Sequence, residues 1–320
     1  MSKLKIGIIG VGHMGQYHVN VAVSIPQIQV SGIYDKDQQR VKEISTKFLV
    51  PFYEDMDQLI HDSDALVIAV PTKYHYEVAK KCLDADKHIL VEKPMTQTVD
   101  QAKELVDLAE KKGLVLQVGH VERFNGAILE VKKIIEKPFF IETKRLAPYN
   151  PRISDVGVVL DLMIHDLDII LNLIPSEIKS IHARGLKVYS EQEDIANTLI
   201  QFESGTIANL IASRVTQNKI RLLTITQEKS YVVLDFATQD IDIYRMASSA
   251  YLMTKEEIKY KQESFVEKIF VHKDNPLKLE HLHFINCILG NEEPLVPNSK
   301  DILTLTYAYQ ILEDIKKNIN

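Results

Sequence analysis

The sequence has few cysteines, no long apolar run and no excess of positive charge, and each absence narrows the class of protein it encodes. Only two cysteines occur in 320 residues, Cys82 and Cys287. They lie far apart in the chain and suggest no disulfide framework, so we expect two buried thiols. No stretch approaches the roughly 18–20 apolar residues of a membrane span. The formal net charge of −6 disfavours a nucleic-acid partner, because phosphate binding usually requires a basic face.

The chain length and the first residues indicate the broad class. After Met1-Ser2-Lys3 comes a short strand-like run that meets glycine at once, whereas a signal peptide needs a longer apolar segment behind its charged start. We therefore expect a cytoplasmic protein without membrane association. A length of 320 residues predicts two domains, since a single core stops growing near about 250–300 residues.

Up to about residue 120, short apolar runs alternate with amphipathic stretches. The runs predict buried strands at 5–9, 29–34, 65–70, 88–92 and 115–118. The amphipathic stretches predict helices that include 38–48, 77–84 and 99–112. Strands that alternate with helices need crossover connections, and these build a doubly wound parallel sheet. Residues 1–120 are therefore predicted to form a Rossmann dinucleotide-binding domain.

Beyond residue 120 two helical stretches, 127–135 and 160–173, precede a series of strands. These strands are predicted at 178–188, 195–202, 207–213, 221–226, 231–236 and 265–272, and helices from about 277 and over 300–317 close the chain. The turn Glu203-Ser204-Gly205 between two β-rich runs predicts a largely antiparallel sheet. Residues 121–320 are thus expected to form an α+β domain that binds substrate. The face of its sheet that helices leave uncovered is expected to join copies into a homo-oligomer.

A glycine-rich run follows the first predicted strand and opens a helix. In this context the first glycine permits a tight turn and the second lets the backbone approach a pyrophosphate. The third lets the helix pack closely, so that its first amides face the anion. The predicted cofactor contacts in this run are Gly10, Gly12, His13, Met14 and Gly15.

Asp35 stands at the end of the second predicted strand, 25 positions after Gly10. An acid there accepts hydrogen bonds from the adenosine ribose hydroxyls and repels a 2′-phosphate. The cofactor is therefore predicted to be NAD rather than NADP, although Lys36 beside Asp35 weakens the discrimination. The alternative is an ordinary glycine turn next to a solvent-facing aspartate.

Further motifs lie at the carboxyl ends of predicted strands, where open α/β sheets bind ligands. Pro94 keeps Lys93 out of helical geometry, and a lysine held there could donate to a substrate hydroxyl and to the alkoxide that develops as hydride leaves. The alternative is a solvated surface lysine. The cofactor contacts predicted at these strand ends are Pro71, Thr72, His75, Glu92 and Lys93.

The predicted helix over 160–173 carries Asp161 and His165, four residues apart and so one turn apart on one face. A histidine near its reference pKa can take a hydroxyl proton and return it, and a neighbouring carboxylate can orient it. One alternative is a core histidine satisfied by a helical neighbour. Another is a metal site that adds Asp168, but no companion His or Cys cluster supports it, and no metal is predicted. His281 and His283, two apart, are interpreted as structural or peripheral.

Together these residues resemble the Gfo/Idh/MocA oxidoreductases. The resemblance rests on the glycine loop with His18, on Pro71-Thr72 with His75, on Glu92-Lys93-Pro94, on Asp161, His165 and Asp168, and on the closing stretch 284–301. It implies that Lys93, Asp161 and His165 form the catalytic group, with His165 as the proton acceptor. It also implies a Rossmann domain, a C-terminal antiparallel sheet that builds dimers or tetramers, and a sugar or polyol substrate. Met163 departs from the pattern, because the family commonly has glycine there.

Arginine-containing segments resemble the members of the family that oxidise nucleotide sugars for lipid A precursors. These segments are 145–148 with Arg152, 119–125 and 212–216. Arginines suit a diphosphate through bidentate contacts. The predicted substrate-binding residues are Arg123, Arg145, Arg152, Asp161 and His165.

Alternatives remain for the arginines and for the function. Arg145, Arg152 and Arg214 could instead form surface or interface salt bridges. The competing functions are an inositol or simple-sugar dehydrogenase and a non-catalytic dinucleotide-binding regulator. The regulator requires a disabled Lys–His pair, and Lys93 and His165 are both intact.

Overall fold

The computed structural model describes residues 3–150, 156–246 and 264–318. They divide into two compact units: unit 1 comprises Met1–Phe124 and Asp274–Tyr307, and unit 2 comprises Asn125–Lys273 and Ala308–Asn320. The predicted division at residue 120 lies close to the end of the first segment of unit 1. The second domain was predicted to be contiguous over 121–320. In the structure the segment Asp274–Tyr307 belongs to unit 1 instead, and its Phe284 and Ile285 pack in the apolar core of that unit.

Unit 1 is built on a parallel sheet of five strands in the order β2-β1-β3-β4-β5. The strands are β1 (Leu4–Ile9), β2 (Ile28–Tyr34), β3 (Ala65–Ile68), β4 (His88–Glu92) and β5 (Leu116–Gly119). The helices are α1 (His13–Val23), α2 (Gln38–Phe48), α3 (Met56–Asp62), α4 (His75–Asp84), α5 (Val99–Lys112) and, from the second segment, α8 (Pro276–Ile288). This confirms the predicted Rossmann-type sheet.

Local sequence explains where these elements begin and end. All four residues of β3 are buried, as expected for a strand covered on both faces. The Thr98 side chain accepts a hydrogen bond from the Gln101 amide at the start of α5, and Gly113 ends that helix with φ 64°. That left-handed conformation is one that glycine adopts readily.

The described residues of unit 2 form an eight-stranded sheet in the order β13-β12-β11-β10-β6-β9-β8-β7, in which β6 and β9 pair in parallel and the other neighbouring strands pair antiparallel. The strands are β6 (Phe140–Leu146), β7 (Ile178–Leu186), β8 (Ile195–Phe202), β9 (Ile207–Ser213), β10 (Ile220–Gln227), β11 (Ser230–Asp235), β12 (Asp240–Met246) and β13 (Ser264–Ile269). The helices are α6 (Gly126–Ile134), α7 (Ile164–Leu173) and α9 (Asn298–Asn318), of which Ala308 onwards belongs to this unit. The predicted largely antiparallel sheet is confirmed.

The two faces of this sheet differ in exposure. Along β8 the side chains alternate, so that Ile200 is buried whereas Leu199 is 42% exposed. Tyr231 and Tyr244 face each other across β11 and β12, and both are exposed. The buried face forms the core of unit 2, and the other face presents large apolar side chains to solvent.

Two remaining sequence expectations concern the cysteines and the membrane. Cys82 is fully buried, and burial raises the pKa of its thiol to about 12. Cys287 is only half-buried, so the expectation of two buried thiols holds for Cys82 alone. In the described ranges of the chain, no helix is long and apolar enough to cross a bilayer.

Candidate active site

The glycine loop between β1 and α1 is a turn that accepts no larger residue at two of its positions. Gly10 has φ 90°, and its amide donates to the Tyr34 carbonyl at 2.8 Å. A Cβ on Gly10 would lie 2.7 Å from the Ala69 carbonyl oxygen, and a Cβ on Gly15 would overlap the Gly10 carbonyl oxygen. Glycine is therefore required at both positions to bring α1 directly behind the strand.

Gly12 differs, because a Cβ there would meet no atom within 4 Å. It is the N-cap residue of α1, and no side chain caps this helix end. The first amides of a helix carry a partial positive charge and bind anions. An open glycine in front of uncapped amides fits the pyrophosphate of a dinucleotide, and His13 and Met14 lie exposed in the same turn. The loop therefore has the geometry that the pyrophosphate of a dinucleotide requires.

Asp35 is held beside this loop by two backbone amides. Its Oδ2 accepts a hydrogen bond from Val11 N at 2.9 Å, and its Oδ1 accepts one from Asp37 N at 3.0 Å. Arg40 approaches the same carboxylate, with Nη1 3.7 Å from Oδ2. The structure thus places an acid at the carboxyl end of β2, where the predicted ribose contact requires it.

His75 is buried between two backbone carbonyls. Its Nδ1 lies 2.8 Å from the Pro94 oxygen and its Nε2 lies 2.8 Å from the Val70 oxygen. Burial lowers the pKa of His75, and the two carbonyls act in the opposite direction. The ring therefore links the loop after β3, where Pro71 is exposed and Thr72 half-buried, to the segment after β4. Because His75 is itself buried, it would affect the predicted cofactor site by fixing the positions of these two segments.

Glu92 connects the end of β4 to α1. Its Oε1 lies 2.8 Å from Nε2 of His18, and its Oε2 accepts a hydrogen bond from the Lys93 amide at 3.1 Å. Burial by itself raises the pKa of Glu92, but the His18 ring and the Lys93 charge hold it below its ordinary value. Glu92 is therefore ionised at neutral pH. His18 and Glu92 are 74 positions apart, so no spacing rule predicts their contact.

Arg123, predicted to bind substrate, is buried in unit 1. Its Nη2 donates to Asp301 Oδ1 at 2.5 Å, and the two side chains are 6% and 2% exposed. His120 Nε2 lies 3.8 Å from the same carboxylate oxygen. In this arrangement the guanidinium forms an ion pair within the protein.

In unit 2, Asp161 and His165 lie on either side of a change in helix type. Val159–Met163 is π-helical, and regular α-helix begins with α7 at Ile164. The prediction of a regular helix from residue 160 is therefore wrong for its first turn, which is π-helical. Glu193 accepts the Val159 amide at 3.1 Å and fills the space that a Cβ on Gly157 would need. Wide turns of this kind often occur at functional sites, and both Asp161 and His165 remain partly exposed.

Met163, the departure from the family pattern, points into the interior of unit 2. It is 1% exposed, and its sulfur accepts a hydrogen bond from Thr198 Oγ1 at 3.3 Å. A methionine adapts its shape to irregular core space. The larger residue is therefore accommodated by packing against β8.

Two arginines from the segments that were expected to suit a diphosphate form buried ion pairs. Arg145 Nε and Nη2 donate to the Asp166 carboxylate at 3.1 and 2.7 Å, and its guanidinium lies 5.0 Å from the centre of the Phe236 ring. Arg214 Nε donates to Asp194 Oδ1 at 2.6 Å. Both arginines therefore fit the salt-bridge role that the sequence left open. Arg152 lies outside the described residues.

The chain matches two family models. One, described as an oxidoreductase family with an NAD-binding Rossmann fold, matches residues 4–120. The other, described as the GFO/IDH/MocA C-terminal domain, matches residues 126–233. Together they cover more than half of the chain.

Relatives of known name are similar over most of their length. The UDP-N-acetylglucosamine 3-dehydrogenase of Acidithiobacillus ferrooxidans is 34% identical over 245 residues, which are 76% of this chain and 78% of the relative. Its solved structure matches with a TM-score of 0.89 and 30% identity over 99% of both chains. The scyllo-inositol 2-dehydrogenase (NAD(+)) of Bacillus subtilis is 25% identical over 316 residues, 92% of this chain and 89% of the relative.

Proposed function

The chain belongs to the Gfo/Idh/MocA oxidoreductase family, and from that membership we propose that it uses NAD to oxidise carbon 3 of UDP-N-acetylglucosamine to a ketone, a step towards lipid A precursors. The observation that carries this proposal is the likeness to the Acidithiobacillus ferrooxidans enzyme over 99% of both chains. That likeness includes unit 2, where the sequence places the substrate residues, and not only the cofactor-binding unit.

The proposed roles use few side chains. When bound, the nicotinamide accepts the hydride from the carbon that bears the hydroxyl. We assign to His165 the acceptance of the hydroxyl proton and to Asp161 the orientation of its ring. Lys93 holds the reacting oxygen and stabilises its developing negative charge. The protein thus supplies positioning and charge control.

NAD is proposed over NADP because of Asp35. Its buried carboxylate at the end of β2 would repel a 2′-phosphate and accept hydrogen bonds from a ribose hydroxyl. Arg40, 3.7 Å from Asp35, reduces that repulsion. We therefore expect a preference for NAD, with measurable use of NADP.

A substrate panel read by absorbance of the reduced cofactor tests the proposal. UDP-N-acetylglucosamine, free N-acetylglucosamine and myo-inositol would each be supplied with NAD or NADP. We expect turnover with the UDP-sugar and NAD, and a product lighter by the two hydrogen atoms removed on oxidation. Turnover of inositol or free sugar without turnover of the UDP-sugar would overturn the proposed substrate.

Polyol oxidation is the second candidate. It is supported by the likeness to the scyllo-inositol dehydrogenase, which extends over 92% of this chain. The same panel decides between the two, since a polyol dehydrogenase needs no contact with a nucleotide. A competition assay with UDP adds a check: UDP should inhibit the nucleotide-sugar enzyme and leave inositol oxidation unaffected.

The location and assembly follow from the same proposal. We propose a cytoplasmic enzyme that forms a homodimer or homotetramer through the exposed face of the eight-stranded sheet. Supporting this, Leu199, Ile207 and Tyr231 are between 37% and 42% exposed on that face, and such apolar surface is typical of subunit interfaces. Light scattering at working concentration tests it, and a monomeric mass would contradict it.

A further inference from the structure

Lys93 is flanked in the chain by two groups that are each held by a buried histidine. On its amino side, Glu92 is bonded to His18, and on its carboxyl side, the Pro94 carbonyl oxygen lies 2.8 Å from His75 Nδ1. The Glu92 carboxylate also accepts the amide of Lys93 itself. The backbone at Lys93 therefore has a buried histidine on each side of it.

The contact on the amino side extends one step further, to α8. His18 Nδ1 lies 2.8 Å from His281 Nε2, and both rings are fully buried. These two histidines are 263 positions apart in the chain. Lys93, Glu92, His18 and His281 thus form one continuous series of hydrogen bonds, from the strand end through α1 to α8.

The charges define the direction of the bond between His18 and Glu92. Burial, together with the neighbouring His18, lowers the pKa of His281 well below its ordinary value, so this ring is neutral. Glu92 is ionised and can only accept, so His18 donates to it from Nε2. His18 Nδ1 and His281 Nε2 lie 2.8 Å apart and share one hydrogen bond. Among the described residues, His281 Nδ1 has no hydrogen-bond partner.

A second buried carboxyl, Glu280, lies beside this series. It is fully buried, and within the described part of the chain neither of its oxygens has a hydrogen-bond partner. Burial and the charge of Glu92 raise the pKa of Glu280 well above its ordinary value, and Arg123 opposes the shift. Glu280 therefore favours its neutral form, and Glu92 is the negative charge that His18 faces.

We propose that His281 is a positioning residue for Lys93, acting through His18 and Glu92. The proposal rests on the assigned role of Lys93 in the proposed function. A buried polar series is a weak source of stability, because apolar residues of the same volume often stabilise a core as well or better. Its effect on geometry is larger: displacement of a reacting group by about 1 Å can cost on the order of a hundredfold in rate.

The test compares two substitutions at the same position. His281→Leu removes the polar partner of His18 Nδ1, whereas His281→Gln keeps an amide that can donate or accept near the position of Nε2. We expect the leucine variant to lower kcat about tenfold, with the KM for NAD changed less than about twofold. The glutamine variant should recover most of kcat. The control is His283→Leu on the same helix, because that ring bonds Glu292 and the Leu295 amide; it should leave kcat unchanged.

A second measurement does not depend on turnover. Hydrogen exchange at the Lys93 amide, followed by NMR, reports the bond to Glu92 directly. Exchange should be slow in the wild type and in His281→Gln, and faster in His281→Leu. If the wild type oxidised no UDP-sugar, the proposed function would fail, and this exchange rate would still decide the role of His281.

Two results would overturn the inference. One is unchanged kcat together with unchanged Lys93 exchange in His281→Leu. The other is an equal loss of kcat and of thermal stability in both the leucine and glutamine variants, since that pattern indicates a purely structural role.

Discussion

Nδ1 of His75 lies 2.8 Å from the carbonyl oxygen of Pro94, the residue that follows Lys93. The opposite ring nitrogen is equally close to the Val70 oxygen. One side chain therefore ties together the two strand ends that carry the predicted cofactor and catalytic residues.

Replacing His75 with alanine should damage both stability and catalysis. A neutral ring carries one N–H, so the change leaves one of the two carbonyls without its donor, which costs about 1–3 kcal/mol, and it releases the segment around Lys93. Urea unfolding and steady-state kinetics measure the two effects. His61→Ala is the matched control, because that side chain is 88% exposed. A His75→Ala enzyme with wild-type kcat and KM would show that the link has no part in catalysis.

Gly12→Ala should separate cofactor binding from folding. The added Cβ meets no protein atom within 4 Å and the φ of −65° suits alanine, so stability should change by less than about 0.5 kcal/mol. The methyl group would occupy the space in front of α1 and weaken NAD binding about tenfold or more. Calorimetric titration with NAD measures this, with the exposed Asn20→Ala as control. Unchanged NAD affinity would place the pyrophosphate elsewhere.

Arg145→Leu should destabilise unit 2 rather than impair substrate binding. The substitution removes one partner of the buried Arg145–Asp166 ion pair, and such losses amount to about 3–5 kcal/mol. The double variant Arg145→Leu with Asp166→Leu should recover much of that stability. Chemical unfolding measures both. A raised KM for the UDP-sugar with unchanged stability would instead restore the predicted role of Arg145 in substrate binding.

Glu280 should make the protein less stable as the pH rises. Its folded-state pKa is raised well above the ordinary value of 4.5, so between these two values the folded chain holds a proton that the unfolded chain has released. Its contribution is therefore fully present below pH 4.5 and decreases above it, by about 1.4 kcal/mol per pH unit. Glu280→Gln should remove this dependence, so the variant gains stability over the wild type as the pH rises from 4.5. A constant difference across that range would contradict the assignment.

The part of the fold that was predictable is the part with simple hydrophobic patterns. Strand β3 is a continuous apolar run, and β8 and β9 alternate between buried and more exposed positions, so these strands agree with the prediction. Strand β6 was missed because its inward positions include Thr143 and Arg145, between outward Glu142 and Lys144. Its buried arginine is paired with Asp166, and the sequence around β6 gives no sign of that partner.

The candidate site likewise has one part that the local sequence predicts and another part that it does not. Gly10, Gly12 and Gly15 are recognisable because a strand, a turn and a helix follow one another locally. The bonds that hold Lys93 are not local, since His281 reaches His18 from 263 positions away. A pair of histidines two apart on a helix has no distinguishing pattern, and only the packing of α8 in unit 1 gives His281 its neighbour.

The most direct test of the proposed dehydrogenase is the turnover of Lys93→Ala and His165→Ala with UDP-N-acetylglucosamine and NAD. Each substitution removes a group that acts on the reacting hydroxyl, so we expect kcat to fall at least about a hundredfold. NAD affinity, measured by calorimetry, should stay within about threefold of wild type. Wild-type turnover in both variants would contradict the assignment of the reaction to these residues.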